Sequence, residues 1–507
     1  MSKTNTTSST PATSIELVDP ASLLVDLNVR HDPRLDAAFS ASIKELGVLV
    51  PIVAVRTAEK QLRVRFGHRR TLAAVAAGTA SVPVVVAADE ATTDAANVER
   101  LVGQYAENEH RTGLSNAERV GVIEQLSAFG VSSAQIAKRT KATRTDVDAA
   151  LSVARSDLAK AATMRYEFLD LVQAATVADF EDDPDTVKAL VAAASTGQFE
   201  HAAQRARDER ERTQRRQAFA AELGEQGITV LGADADATPL HRLTDAEGTN
   251  LTDTDHAQCP GHAATITRRY GQIDPTTGQP VADELDDDEL DDEDFLDEDA
   301  EQEGEEPGTV WGEYPSAVFV CTDPEGNGHT RITRSYGYDS ERTKPKLADM
   351  NEDDAEAARA QRRDVIESNK AWRAAEPVRR EWLRGLLARK TPPKGSAALV
   401  ATALACDADT VTRIGGNHLA AELLGCEDTS YGRNSALAVL IDRASEPRAQ
   451  VLGLAVVLAG YEDATHTGSW RHVDPATRRY LTYLAQRGYT LADVERRACG
   501  QDPLPET

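Results

Sequence analysis

Apolar positions change their spacing along the chain, and the changes divide it. Residues 14–90 alternate short β-branched runs with helical stretches. Ser40–Leu46 reads as a helix, and Ile52–Arg56 and Leu62–Phe66 as strands joined by the polar turn Thr57–Gln61. An alanine-rich helix over Arg69–Ala77, a strand over Val82–Val86 and a helix over Asp94–Tyr105 follow. From 115 to 165 the period is helical throughout. Ser115 and Glu118 form a capping-box pair, Gly130 ends the first helix, and Ser132 and Ser133 cap a second over Ala134–Thr140. A break at Lys141–Thr143 leads to a third helix, Arg144–Val153.

Farther on the pattern loosens. Residues 166–220 remain helical but grow charged, and 224–282 read as loop with one strand at Ile228–Leu231. An apolar strand at Ala317–Cys321 comes next. Helices over 347–390 follow, with Trp372 and Trp382 as core anchors, then the linker Pro392–Gly395 and an all-helical block over 396–499.

Length alone predicts two to four domains, since 507 residues exceed what one core serves. Charge changes the picture by its placement. Of the net −27, the segment 283–306 holds −17, leaving −10 for the rest. Such a run cannot bury apolar area and reads as disordered, as does the Ser/Thr-rich tail 1–13. Val131–Arg165 has a local excess of +4, and screening makes the local excess the relevant one. Five sparse cysteines do not form a disulfide scaffold, and no apolar run reaches membrane length, so a cytoplasmic protein is expected.

Two fragments carry candidate chemistry. Gly67-His68-Arg69-Arg70 is a glycine turn delivering two arginines to the start of a helix, where free amides favour anions. Arginine forks match phosphate oxygens. Glu107-Asn108-Glu109-His110-Arg111 offers oxygens suited to Mg²⁺ and a further guanidinium, with Glu107 as the candidate catalytic carboxylate. Taken singly, the fragments also fit a surface arginine pair and a helix cap.

The helices after 115 suggest a DNA reader. Gln135-Ile136-Ala137 with Val147 and Leu151 gives the apolar spacing of two crossing helices. Thr143, Arg144, Thr145 and Asp148 would face base edges, and Lys138, Arg139 and Lys141 would meet phosphates. A plain helical bundle shares this periodicity; the positive charge and the neighbouring motif favour DNA.

With these motifs in order, residues about 15–165 resemble the ParB/Spo0J partition-protein family. Asn28-Val29-Arg30 resembles its arginine box, Gly67-His68-Arg69-Arg70 its Gly-Glu-Arg-Arg box, and Glu107-Asn108-Glu109-His110-Arg111 its Glu-Asn-x-x-Arg box. The resemblance implies a CTP- and Mg²⁺-binding DNA clamp. It would be homodimeric, loaded at a centromere-like palindrome, partnered by a ParA-type ATPase and associated with the nucleoid. Arg30, Gly67, His68, Arg69, Arg70, Glu107, Asn108 and Arg111 would form the nucleotide site. His68 stands where the family has an acidic residue, which favours nucleotide binding over hydrolysis. The alternatives are a ParB-like transcriptional regulator without turnover and, more remotely, a ParB-fold nuclease. Sulfiredoxin-like chemistry is excluded, because no cysteine precedes Cys259.

Cys259, His262, Cys321 and His329 make a Cys₂His₂ set suited to structural Zn²⁺, with His256 as a spare. The expected fold class is α+β. It comprises an N-terminal ParB/sulfiredoxin-like α/β domain (14–113), a central all-α helix-turn-helix domain (114–220), a zinc-pinned loop-rich module with the acidic insertion (221–345) and a C-terminal all-α domain (346–507). The basic run Arg379, Arg380, Arg389, Lys390 and Lys394 reads as a surface.

Overall fold

The computed structural model describes residues 14–25, 37–89, 93–232, 235–274, 277–281, 310–332, 352–427, 430, 432 and 435–502. The tail 1–13 and the acidic run 283–306 lie outside them. The chain divides into two compact units, residues 1–199 and 200–507.

The first unit opens with a four-stranded sheet, β1 (Ser14–Val18), β2 (Ile52–Arg56), β3 (Leu62–Phe66) and β4 (Val82–Asp89), in the order β1-β4-β2-β3. β2 runs parallel to β4; the other pairs are antiparallel. The helices α1 (Ala37–Leu46) and α2 (His68–Ala77) accompany it. Period-two alternation places Ile52, Ala54, Leu62, Val64, Val82, Val84 and Val86 in one core with Ile43, Ala73 and Ala74 of the helices. β1 turns Ile15 and Leu17 outward, 67% and 75% exposed.

A second core follows. It joins α3 (Asp94–Thr112), α4 (Asn116–Ala128), α5 (Ser133–Thr140), α6 (Arg144–Arg155), α7 (Asp157–Arg165) and α8 (Leu171–Asp179), with α9 (Pro184–Ser195) after them. The capping box forms as its residues predict: Glu118 N donates to Ser115 Oγ at 3.3 Å, and Ser115 N to Glu118 Oε2 at 2.9 Å. α3 differs from expectation in two ways. It runs on to Thr112 instead of ending near Tyr105. Its buried face, Val98, Leu101 and Tyr105, packs with Ile123, Ile136 and Val147, so it belongs to the helical core although it precedes residue 114. Spacings of three and four residues put these side chains on one stripe of the helix.

The second unit begins one residue into α10 (Phe199–Glu225). The module after it is not mainly loop. β5 (Thr229–Leu231), β8 (His262–Ile273), β9 (Val310–Cys321) and β6 (Thr238–Pro239) form a sheet in the order β5-β8-β9-β6. β8 and β9 are a twelve-rung antiparallel ribbon, with His262 opposite Cys321 and Ile273 opposite Val310. Polar and glycine residues interrupt β8, which hid it from a reading by apolar alternation. The pair β7 (Leu243–Thr244) and β10 (Thr330–Arg331), and the single-turn helix α11 (Asp253–His256), complete the module.

The rest is helical: α12 (Glu352–Leu387), α13 (Ser396–Cys406), α14 (Ala408–Val411), α15 (Ile414–Leu423), α16 (Ala436–Asp442), α17 (Glu446–Asp463), α18 (Pro475–Gln486) and α19 (Asp493–Ala498). Trp372 and Trp382 both sit at its core, Trp372 fully buried. Gly460 lets α15 and α14 press on α17: an added Cβ there would lie 2.8 Å from Val411 Cα.

Candidate nucleotide and DNA interfaces

β3 ends at Phe66, and Gly67 makes the turn into α2 in the left-handed region, φ 98° and ψ 24°. An added Cβ would meet the Arg70 guanidinium at 3.3 Å and Ile52 Cγ1 at 3.4 Å, so both conformation and space favour glycine. As the N-cap of α2, Gly67 supplies no side-chain cap of its own. His68 is buried at that turn. Arg69 stands over the Phe39 ring, its Cζ 4.9 Å from the centroid. Arg70 also has a bracing part in this turn. Its Nη1 donates to the carbonyls of Val50 and Pro51, at 2.5 and 2.8 Å, and so braces the turn before β2.

Glu107 and Asn108 lie in the last turns of α3, Glu107 exposed and Asn108 half-buried. Their neighbour Glu109 is structural: it accepts from Leu114 N at 3.2 Å and pairs with Arg119 at 2.6 Å, joining α3 to α4. Arg30 lies outside the described residues, and so does the side chain of Arg111.

α5 and α6 are joined by three residues, of which Lys141 takes a left-handed conformation, φ 60°. Ile136 and Val147 are fully buried between the helices, and Ala137 and Leu151 are partly buried. Lys138, Arg139, Lys141, Thr143, Arg144, Thr145 and Asp148 are all exposed. Thr143 caps α6 by accepting from Asp146 N at 3.0 Å. Arg144 pairs with Asp148 at 3.3 Å, and Arg139 with Glu99 of α3 at 3.0 Å. Exposed pairs of this kind are worth about 0–1 kcal/mol and give way readily to a phosphate.

Residues 24–101 match the family model of the ParB N-terminal domain. The chain carries a ParB N-terminal domain. No curated protein matches it. Among solved structures, two crystal structures of C-terminally truncated ParB from Caulobacter crescentus are similar. The one complexed to the centromeric parS site is 17% identical over 35% of this chain and 91% of its own, with a TM-score of 0.26. The one complexed with CTP-γ-S is 22% identical over 35% and 98%, with a TM-score of 0.17. A Pnob8-like ParB-N domain is 14% identical over 35% and 84%, with a TM-score of 0.26.

The ParB N-terminal match includes Arg30, the Gly67 turn and the first part of α3, and stops before Glu107 and the α5–α6 pair. In the second unit the fold gathers His256, Cys259, Cys321 and His329, with one candidate ligand atom of each within 4.8 Å of the others. Three of the expected four residues are there, but the fourth is His256 and not His262. His262 Nδ1 lies 2.9 Å from His256 Nδ1, and its ring stacks on Phe319 at 5.4 Å. The expectation failed because His262 opens β8, where extended backbone carries its ring along the sheet, whereas the turn of α11 brings His256 back over Cys259. Cys259 N donates to His256 O at 2.9 Å in that turn.

The basic run is likewise divided by the fold. Arg379 is fully buried, not a surface residue, and Arg380 pairs with Glu376 at 2.5 Å. Sequence reasoning missed the network around Arg379 altogether. Arg379 Nε and Nη2 donate to Glu462 at 2.8 and 3.1 Å, and Nη1 donates to Glu495 at 2.8 Å. Tyr480 donates to Glu462 at 2.7 Å and Tyr489 to Glu495 at 3.1 Å. Burial disfavours the Arg379 charge, but Glu462 and Glu495 outweigh it and hold the guanidinium protonated above its ordinary range. Burial, then the carboxylate beside each, pushes both tyrosine hydroxyls well above theirs. All of the partners are distant in sequence, so no local spacing signals the network.

Proposed function

We propose that this protein is a CTP-dependent, sequence-specific DNA-binding partition protein, a clamp of the ParB type. The observation that carries the reading is the left-handed Gly67 between β3 and α2, within the segment that matches the ParB N-terminal domain. It brings backbone amides and Arg69 to one point, which suits a phosphate chain. Arg70 fixes the floor of this cradle by holding the Val50–Pro51 turn. Arg30 and Arg111 complete the cationic set, and Glu107 and Asn108 supply oxygens for Mg²⁺. Glu107 is the catalytic carboxylate of any turnover. With the buried His68 replacing the family's carboxylate, the site binds CTP and hydrolyses it poorly, if at all.

Nucleotide occupancy has a physical route to DNA. Glu107 and Asn108 lie on α3, whose buried face shares a core with Ile136 of α5 and Val147 of α6. A ligand that shifts α3 therefore acts on the helix pair that presents Thr143, Arg144, Thr145 and Asp148 to bases and Lys138, Arg139 and Lys141 to phosphates. The protein acts as a homodimer on a palindromic, centromere-like site on the nucleoid, with a ParA-type ATPase as partner.

The test is binding of labelled CTP to the full chain, with ATP and GTP as competitors, with and without genomic DNA fragments. CTP is expected to bind selectively, and Arg69→Ala to weaken it at least about tenfold, the loss of a charge-assisted hydrogen bond. Unchanged affinity in Arg69→Ala overturns the pocket. Indifference to CTP at every magnesium and DNA condition overturns the reading, leaving a DNA-binding regulator without nucleotide control.

A further inference from the structure

We infer that His256, Cys259, Cys321 and His329 bind one structural Zn²⁺ that locks the base of the β8–β9 ribbon, with His262 as a positioning residue outside the ligand set. The inference is independent of the nucleotide reading, since it concerns only the second unit.

The donor set is that of a closed tetrahedral site, and one ligand spacing matches it. With Zn–S at about 2.3 Å and Zn–N at about 2.0–2.1 Å, a tetrahedron separates neighbouring S and N ligands by about 3.5–3.6 Å. Cys259 Sγ and His329 Nε2 lie 3.5 Å apart. His256 is 1% exposed, and its Nε2 is buried without a hydrogen-bond partner, a costly arrangement for a polar atom unless something coordinates it. Its other nitrogen, Nδ1, is engaged by His262. Coordination through Nε2 leaves the proton on Nδ1, so His256 Nδ1–H donates to His262 Nδ1. Such an outer partner fixes the tautomer and aim of a ligating imidazole.

The surroundings serve the same end. An added Cβ at Gly261 would lie 2.8 Å from Cys321 Sγ and 2.6 Å from Asn327 Nδ2, so glycine lets the Cys259 turn close onto Cys321. Asn327 Nδ2 donates to Cys321 Sγ at 3.6 Å, the kind of contact that steadies a thiolate. Four protein ligands leave no open position, so the metal is not catalytic. Two thiols give up their protons to solvent on binding.

A metal is also what this module needs. The buried apolar cluster beside the site consists of Leu240, Leu243 and Cys321, supported by Leu251, Cys259 and Phe319. Cores this small are usually supplemented by a metal or a cross-link. The ligands come from two stretches far apart in sequence, the end of α11 with the turn after it and the end of β9 with the turn before β10, so one ion ties the two together.

The experiment is metal analysis of the full chain purified without added metal, with Co²⁺ refilling after chelation as a readout that needs no substitution. About one zinc per chain is expected, and the Co²⁺ form should show the visible bands and thiolate charge transfer of a tetrahedral S₂N₂ site. His256→Ala and Cys259→Ser should fall below about a tenth of that content. His262→Ala should keep the ion with affinity lowered about 10–100-fold. Loss of zinc in His262→Ala with retention in His256→Ala would overturn the ligand set. Equal metal content in Cys259→Ser, a Cys259–Cys321 disulfide in the unreduced chain, or a Co²⁺ form without thiolate bands would overturn the site.

Discussion

Arg379 and Glu462 meet as a two-pronged ion pair with both side chains wholly buried, although 83 residues separate them in sequence. Glu495 closes the other side of the same guanidinium. The cation thus joins α12, α17 and α19 through one group, in the middle of an otherwise apolar core. Its burial is costly and its geometry nearly complete, so its individual partners matter more than its net contribution.

Arg379→Ala leaves two buried carboxylates facing each other. The second unit is expected to lose about 3–5 kcal/mol, read by urea unfolding of the full chain. Arg379→Lys should recover little of this, because an ammonium cannot reproduce the fork. A loss below about 1 kcal/mol would show that water already reaches the site.

Tyr480 and Tyr489 give the network a pH signature. Their folded-state pKa values are raised, so the folded protein holds protons that the unfolded chain releases above its ordinary tyrosine pKa of about 10. Stability is therefore complete below about pH 10 and falls as pH rises above it. Tyr480→Phe should make that alkaline decline shallower. It should also cost about 1.5–3 kcal/mol at neutral pH for the lost bond to Glu462. Melting curves from pH 7 to 11 check both effects.

Gly67→Ala tests the turn. A Cβ is strained at φ 98° and presses on Arg70. The first unit should lose about 1–3 kcal/mol. CTP affinity should fall at temperatures where the variant is still folded, measured by titration at 10 °C below its melting point. Wild-type affinity in a folded variant would place the nucleotide elsewhere.

Lys141 occupies a left-handed position where glycine is more comfortable. Lys141→Gly should therefore hold or slightly raise stability, by up to about 1 kcal/mol, while removing a phosphate contact. DNA affinity should drop evenly across sequences, and the salt dependence should flatten by about one unit of slope. Arg144→Ala should instead relax sequence preference. If Lys141→Gly leaves the salt slope unchanged, the turn does not touch DNA.

What the sequence determined by itself was local. Gly67, the Ser115–Glu118 capping box and the buried spacing of Ile136 and Val147 act within a few residues of themselves, and the pattern exposed them. The tertiary structure decided which distant groups meet. It tied Arg70 to the carbonyls of Val50 and Pro51, and placed α3 in the helical core. It exchanged His262 for His256 beside Cys259, and took Arg379 from an apparent basic surface into the interior. The physical reason is common to all four. Side-chain direction follows from backbone path and packing, and a residue's chemistry is fixed by the neighbours that path supplies.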